Sequence, residues 1–101
     1  MPRIIRTASA LQDVDDIWDY IAIQNHHPDA ADRLIDAIDD YLNLLLEQPL
    51  MGEAVNHLRP GTRRGIVHDH YLLFYEVIRD DIRLLRVLHG ARLIRPQDLD
   101  R

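Results

Sequence analysis

One histidine and a group of arginines in the second half of the chain are the residue types that could do chemistry. Cleavage of a phosphodiester at a 2′-hydroxyl needs a base for the hydroxyl proton, a cation for the phosphorane charge, and an acid for the leaving oxygen. Histidine can transfer the protons and arginine can supply the charge. The residues that could converge in this way are His89, Arg63, Arg64, Arg86 and Arg92.

Other features of the chain argue against catalysis. No lysine occurs anywhere, and no tyrosine follows Tyr75. The formal net charge is −5 and the sequence pI is about 5.6, whereas strong phosphate contact usually needs a clustered basic face and a high pI. Because arginine is favoured at interface hot spots, we interpret the basic residues as a surface for a protein partner. The predicted partner-binding residues are Arg59, Arg63, Arg64, Arg86, His89, Arg92 and Arg95.

Metal and carboxylate chemistry receive weaker support. His68 and His70 alternate along a segment that could be a strand, but two histidines without a third fixed ligand rarely hold a metal. Asp36, Asp39 and Asp40 are neighbours on one helical face that lies opposite the apolar stripe, so they predict a solvated acidic surface. We therefore expect no catalytic residue, no metal and no cofactor.

The composition predicts one folded domain over residues 1–101. Hydrophobic residues make up 47 % of the chain and charged residues 29 %, which is typical of a folded soluble protein. Cysteine is absent, which excludes disulfides and thiolate metal sites and fits a reducing compartment. No apolar run approaches the roughly 20 residues that cross a bilayer, and the N-terminus lacks a signal-peptide core. We expect a cytoplasmic protein that does not bind membranes.

The first half of the chain is acidic and helical in pattern. Residues 11–48 contain ten acidic side chains and one arginine, Arg33. Ser9 and Gln12 have the spacing of a capping box, which predicts the start of a helix that ends near Asn25. The apolar stripe of this helix consists of Leu11, Val14, Ile17, Trp18 and Ile21.

A second helix is expected from Pro28 to just before Pro49, because proline suits the first helical position and cannot continue a helix. The short connection between the helices predicts an antiparallel helical hairpin. The stripe of the second helix consists of Ala31, Leu34, Ile35, Ile38, Tyr41, Leu42 and Leu45.

The remaining segments predict strands. Residues 3–7 form a short β-type run typical of an edge strand, and a second strand begins near Thr62. Residues 70–78 are apolar on both faces, as a central strand requires, and residues 82–89 return beside them. Residues 90–101 are expected to form an exposed tail. The order β-α-α-β-β-β predicts an α+β fold in which the helical hairpin packs on a mostly antiparallel sheet.

The turn at residues 79–81 sets the expected pairing of the last two strands. A three-residue turn places Glu76 opposite Leu84 and Phe74 opposite Arg86. Glu76 and Arg86 then lie diagonally on one sheet face, close enough to form an exposed ion pair.

These elements together resemble the ParE branch of the RelE/ParE toxin superfamily over nearly the whole chain. The matching segments, in order and at similar spacing, are ALQDVDDIWDYIAIQN (10–25), AADRLIDAI (30–38), MG (51–52), LRPGTR (58–63), YLLFY (71–75) and RVLHGAR (86–92). The sequence departs from the common pattern at Glu76, where arginine is frequent, and at Leu93, where an acid is common.

The resemblance implies a RelE/ParE-like fold and the toxin half of a type II toxin–antitoxin module. It implies a hetero-oligomer with a cognate ParD-like antitoxin, commonly of the ribbon–helix–helix DNA-binding type, and DNA gyrase as a target reached by protein–protein binding. His89 matches the ParE pattern, where it has no known catalytic role. The acidic helical face could meet a basic antitoxin segment. Two alternatives remain: a RelE-like ribosome-dependent mRNA endoribonuclease, and a degenerate, non-toxic module member.

Overall fold

A five-stranded sheet forms the centre of the computed structural model, which describes residues 1–91 and 93–99. The strand order is β1-β5-β4-β3-β2, with β1 parallel to β5 and the other pairs antiparallel. The predicted α+β architecture and the edge position of the N-terminal strand are confirmed. The strands are β1 Ile4–Arg6, β2 Glu53–Ala54, β3 Thr62–Val67, β4 Tyr71–Ile78 and β5 Asp81–His89.

Two helices connect β1 to β2. Helix α1 spans Ala8–Asp19 and continues through a π-helical turn at Tyr20–Gln24, and α2 spans Pro28–Glu47. Within the described residues, neither helix combines the length and the apolarity that a bilayer crossing requires. The ends near Asn25 and before Pro49 are as predicted.

The start of α1 differs from the prediction. The N-cap is Thr7 and not Ser9: the Thr7 hydroxyl accepts a hydrogen bond from the Ala10 amide at 3.1 Å. The same hydroxyl donates to the Leu85 carbonyl of β5 at 2.8 Å. Because the sheet itself fixes Thr7, the helix begins directly after β1, and the capping-box spacing at Ser9 is not used.

The helices cover one face of the sheet, which we call the helix-covered face. The predicted stripe of α2 is confirmed. The stripe of α1 is displaced, since Leu11 is 52 % exposed while Ala10 and Asp13 are buried. Trp18 is half-buried, and its indole donates to Asp32 of α2 at 3.0 Å. The buried residues of this face are Ala10, Leu34, Ile38, Leu42, Leu45, Val67, Leu73, Tyr75, Ile82, Leu84 and Val87.

The opposite face carries a second, smaller apolar cluster. Residues 93–99, which we call the C-terminal strap, run across it and end in a 3₁₀ turn at Pro96–Leu99. Leu99 is fully buried, and Ile94 packs against the same cluster. The expectation of an exposed tail is therefore wrong for Ile94, Asp98 and Leu99, which cover this apolar face, whereas Leu93 and residues 95–97 are exposed as expected. The buried residues of this strap-covered face are Val55, Phe74, Leu85, Leu88 and Leu99.

The β4–β5 register also differs from the prediction. Ile78 pairs with Asp81, so the turn has two residues and Glu76 lies opposite Arg83 rather than Leu84. A β-bulge at Leu85 then restores the expected Phe74–Arg86 pairing. Glu76 is buried and pairs with Arg83 at 3.3 Å, so the predicted exposed Glu76–Arg86 pair is wrong.

Candidate partner-binding surface

Arg86 lies where α1, β5 and the C-terminal strap meet. Its Nε and Nη2 donate to the two carboxylate oxygens of Asp13, at 2.6 and 2.8 Å, and its Nη1 donates to the Asp98 carbonyl at 2.9 Å. Asp13 also accepts from the Val87 amide at 3.0 Å, on the side of β5 that β1 leaves unpaired. The hydrogen bonds that Arg86 donates to Asp13 hold the pKa of its guanidinium above the ordinary value. Arg86 thus links α1, β5 and the strap, and the Asp13 carboxylate already neutralises its charge.

Two more of the predicted arginines act on the C-terminal strap. Arg59 donates from its guanidinium to the Leu99 carbonyl. Arg95 forms an ion pair with Asp98 at 3.7 Å, and its backbone amide donates to the same carboxylate at 2.9 Å. Arg59 and Arg86 therefore fasten the strap to the rest of the domain, whereas the Arg95–Asp98 pair lies within the strap.

Arg63 and Arg64 hold β2 and the loop that precedes it. Arg63 donates to the loop carbonyls of Gly52 and Leu50, at 2.9 and 3.1 Å, and Arg64 pairs with Glu53 of β2. Both arginines therefore have partners within their own chain, so their first role is to position this edge of the sheet.

Tyr75 fixes the same loop from the helix-covered face. Its hydroxyl donates to the Pro49 carbonyl and accepts from the Gly52 amide, both at 2.9 Å. A Cβ atom at Gly52 would lie 2.6 Å from that hydroxyl, so only glycine lets the loop approach this closely. Burial raises the pKa of Tyr75, while the hydrogen bond from Gly52 opposes the shift.

His89 has an exposed side chain and, unlike the described arginines of the predicted set, donates to no carbonyl or carboxylate among the described residues. Its Nδ1 accepts from the Ala91 amide at 3.1 Å. The imidazole stacks on His70, with ring centroids 6.0 Å apart, and meets the edge of Tyr71 at 5.3 Å. Arg92, the remaining predicted site residue, lies outside the described residues.

The predicted site therefore separates into three places. Arg59 and Arg86 contact the strap, in which Arg95 lies. Arg63 and Arg64 hold β2 and the loop before it, and His89 stands apart at the end of β5. The described part of the predicted set does not converge on one point, as phosphodiester cleavage would require. Among the residues that the structure describes, no three histidine or acidic side chains come together as metal ligands.

A groove of about 410 Å³ lies beside His89, and we call it the His89 groove. One wall consists of Asp16, Ile17 and Tyr20 from α1 and its π-helical turn, and the other consists of Tyr71 and His89. Burial raises the pKa of Tyr71, and neighbouring Tyr20 adds to the shift. Sequence patterns did not predict this groove, although the departure of Tyr20 from the apolar stripe was a visible signal.

Asp13 is a second residue that the sequence analysis missed. It is one of the ten acids of residues 11–48, to which no contact with the sheet was assigned, yet it is buried and bonded to residues of β5. Its spacing from Ala10 and Ile17 is that of a core-facing position, which is the signal that could have identified it.

The ordered β-α-α-β-β-β-β arrangement, which has one short strand (β2) more than predicted, with a helical hairpin on one sheet face and a strap on the other, defines a small α+β protein of the RelE/ParE type. The family model described as "ParE toxin of type II toxin-antitoxin system, parDE" matches residues 4–94. Toxin ParE1 of Caulobacter vibrioides is 32 % identical over 89 residues, which cover 88 % of each chain. The chain belongs to the ParE toxin family of type II toxin–antitoxin systems.

A solved structure shares the fold. A chain of the chromosomal ParDE TA system from P. aeruginosa superposes with a TM-score of 0.70, at 22 % sequence identity, over 88 % of this chain and 96 % of that one. At this level of identity the match supports the fold alone.

Proposed function

We propose that this ParE-family chain is a cytoplasmic toxin that inhibits DNA gyrase by protein–protein binding and is neutralised by a cognate antitoxin. The observation that carries the proposal is the match to the ParE family over residues 4–94. The C. vibrioides relative, named as a ParE toxin, adds support over most of the chain.

The hydrogen bonds and ion pairs that the basic residues form within the chain favour binding rather than catalysis. Cleavage of RNA needs an unneutralised cation near the reacting phosphate. Arg86 is bonded to Asp13, Arg63 to the loop before β2, and Arg64 to Glu53 of β2. We infer that these arginines position the strap and the loop, while His89 faces a partner directly.

The proposed antitoxin is ParD-like, with a ribbon–helix–helix DNA-binding half and a segment that wraps the toxin in a hetero-oligomer. The toxin and the small protein encoded beside it should co-elute as one complex at about micromolar concentration on size exclusion. Separate elution would contradict this part of the proposal.

The target is tested by inducible expression without the antitoxin. A gyrase poison should induce the DNA-damage response, with chromosome breaks and filamentous cells, while RNA sequencing shows no early site-specific cuts. Early mRNA cuts that His89→Ala abolishes would replace the proposal with the ribonuclease alternative. Neither response, at equal soluble expression, would identify a degenerate module member.

A further inference from the structure

The His89 groove combines an apolar floor with polar groups that could form hydrogen bonds or an ion pair with a ligand. Ile17 and the tyrosine rings supply apolar surface. The hydroxyls of Tyr20 and Tyr71 have no hydrogen-bond partner among the described residues. Asp16 accepts from Gln12 at 2.8 Å through one carboxylate oxygen, and its other oxygen has no partner in the same part of the chain.

The π-helical turn changes which side chains face outward at the rim of the groove. The Asn25 amide donates to the Tyr20 carbonyl at 3.1 Å, five residues back, instead of four as in an α-helix. Tyr20 is 54 % exposed and Ile23 is 60 % exposed, whereas Ala22 between them is buried. Large apolar side chains presented together beside a groove are typical of an interaction site, and π-helical turns are frequent at functional sites.

The charge around the groove indicates the chemistry of its occupant. Asp16 lines the groove, and Asp15 and Asp19 are exposed on the same helix. No described lining residue is an arginine. A volume of about 410 Å³ is at the small end of protein binding pockets, so it suits one or two large side chains. The complementary ligand is therefore apolar at its anchor and basic beside it.

We propose that the His89 groove is the docking site for an antitoxin segment that carries one large apolar side chain and, about one helical turn away, a lysine or arginine. The apolar side chain packs between Ile17 and Tyr71, and the cation meets Asp16. Because the Nδ1 of His89 accepts from the Ala91 amide, the neutral imidazole carries its proton on Nε2 and donates it to the segment. This assignment rests on the proposed function, since it supposes that an antitoxin binds.

The test compares two groove variants with two matched controls on the other helix. Asp16→Arg and Tyr20→Ala alter the groove, whereas Asp29→Arg and Leu44→Ala make the same kinds of change on the exposed surface of α2, outside the acidic face of Asp36, Asp39 and Asp40. The probe is the small protein encoded beside the toxin, titrated by calorimetry. Each groove variant should raise the Kd about tenfold or more, as interface hot spots do, and each control should change it less than about twofold.

A second measurement does not depend on mutation. In the wild-type complex, the NMR ring resonances of Tyr71 and His89 should shift on titration with the probe, while that of Trp18 should not. Thermal melts check that the four exposed substitutions leave the fold intact.

The outcomes are separable. If the wild type binds and Asp16→Arg weakens binding no more than Asp29→Arg, only long-range charge matters and the groove assignment is wrong. If the groove variants keep antitoxin affinity but lose toxicity, the groove faces the target and the assignment is also wrong. Failure of the wild type to bind the probe overturns the proposed partnership itself, and the groove assignment with it.

Discussion

The two faces of the central sheet are buried by different means. On the helix-covered face, the 20-residue helix α2 contributes four large buried side chains, and α1 lies beside it. On the strap-covered face, a four-residue 3₁₀ turn buries one leucine, with Ile94 partly buried nearby. Both faces reach complete burial at their centres, since Leu42 and Leu99 are each 0 % exposed.

Equal burial does not imply equal stability. Helix α2 is held along its length, so its buried residues are exposed only when the whole domain unfolds. The strap is held by Leu99, Ile94 and hydrogen bonds from Arg59 and Arg86, so it can detach while the sheet and helices remain folded. We therefore expect matched substitutions on the two faces to differ in size and in the segment that they destabilise.

The largest effect is expected for Leu42→Ala on the helix-covered face. The substitution leaves a cavity that the surrounding helix and sheet cannot close, so the free energy of unfolding should fall by about 2–5 kcal/mol. Urea denaturation followed by far-UV circular dichroism measures it. Leu44→Ala, on the same helix but 47 % exposed, should change stability by about 0.5 kcal/mol or less. Similar costs for the two variants would contradict the description of this face.

The next effect is expected for Asp13→Ala, because Asp13 connects the two faces. Its loss leaves the Arg86 guanidinium without its carboxylate and the Val87 amide without an acceptor. Breaking a fully buried pair costs roughly 3–5 kcal/mol. The Arg86 side chain is 19 % exposed, so we expect about 2–3 kcal/mol. Asp15→Ala, an exposed neighbour, is the control in the same urea titration, and an equal loss from both would show that the Asp13–Arg86 pair is not the cause.

A smaller global effect is expected for Leu99→Ala on the strap-covered face. Because the strap can open locally, the free energy of unfolding should fall by only about 1 kcal/mol, well below the loss at Leu42. The local effect should be larger: the Asp98 amide, which donates to the Arg95 carbonyl at 2.9 Å, should exchange its hydrogen about tenfold faster. A global loss as large as that of Leu42→Ala would show that the strap unfolds only with the whole domain.

The same contrast explains how much of the fold the sequence could predict. Helix α2 was predicted closely because its stripe is periodic and prolines bound it. The strap was missed because one apolar residue after Pro96 has no period that indicates burial. The predicted β4–β5 turn was one residue longer than the observed turn, because charged residues 79–81 fit either length. The bulge at Leu85 nevertheless restored part of the expected pairing.

The sequence could predict which residue types form the candidate site, but not the hydrogen-bond partners of each side chain. The arginines were identified from their positions in the sequence. Their partners include the carbonyls of Leu50, Gly52, Asp98 and Leu99, and any residue offers a carbonyl, so no sequence pattern reveals them. The Asp13–Arg86 pair joins residues 73 positions apart, and sequence spacing contains no information about such a contact.

An effect similar in size to that of Leu99→Ala is expected for Tyr75→Phe, which tests the loop fastened to the helix-covered face. At neutral pH, losing the hydroxyl bonds to Pro49 and Gly52 should lower the free energy of unfolding by about 0.5–1.5 kcal/mol. Burial raises the folded-state pKa of Tyr75 above its ordinary value of 10.0, so the folded protein keeps this proton when the unfolded chain releases it. The resulting stability is present below about pH 10 and is lost as the pH rises through the folded-state pKa. Tyr41 and Tyr71, whose pKa values are also raised by burial, contribute the same sign in wild type and variant. Urea titrations between about pH 8 and pH 11 should therefore show a shallower alkaline loss for Tyr75→Phe, whereas parallel curves would show that Tyr75 releases its proton equally in both states.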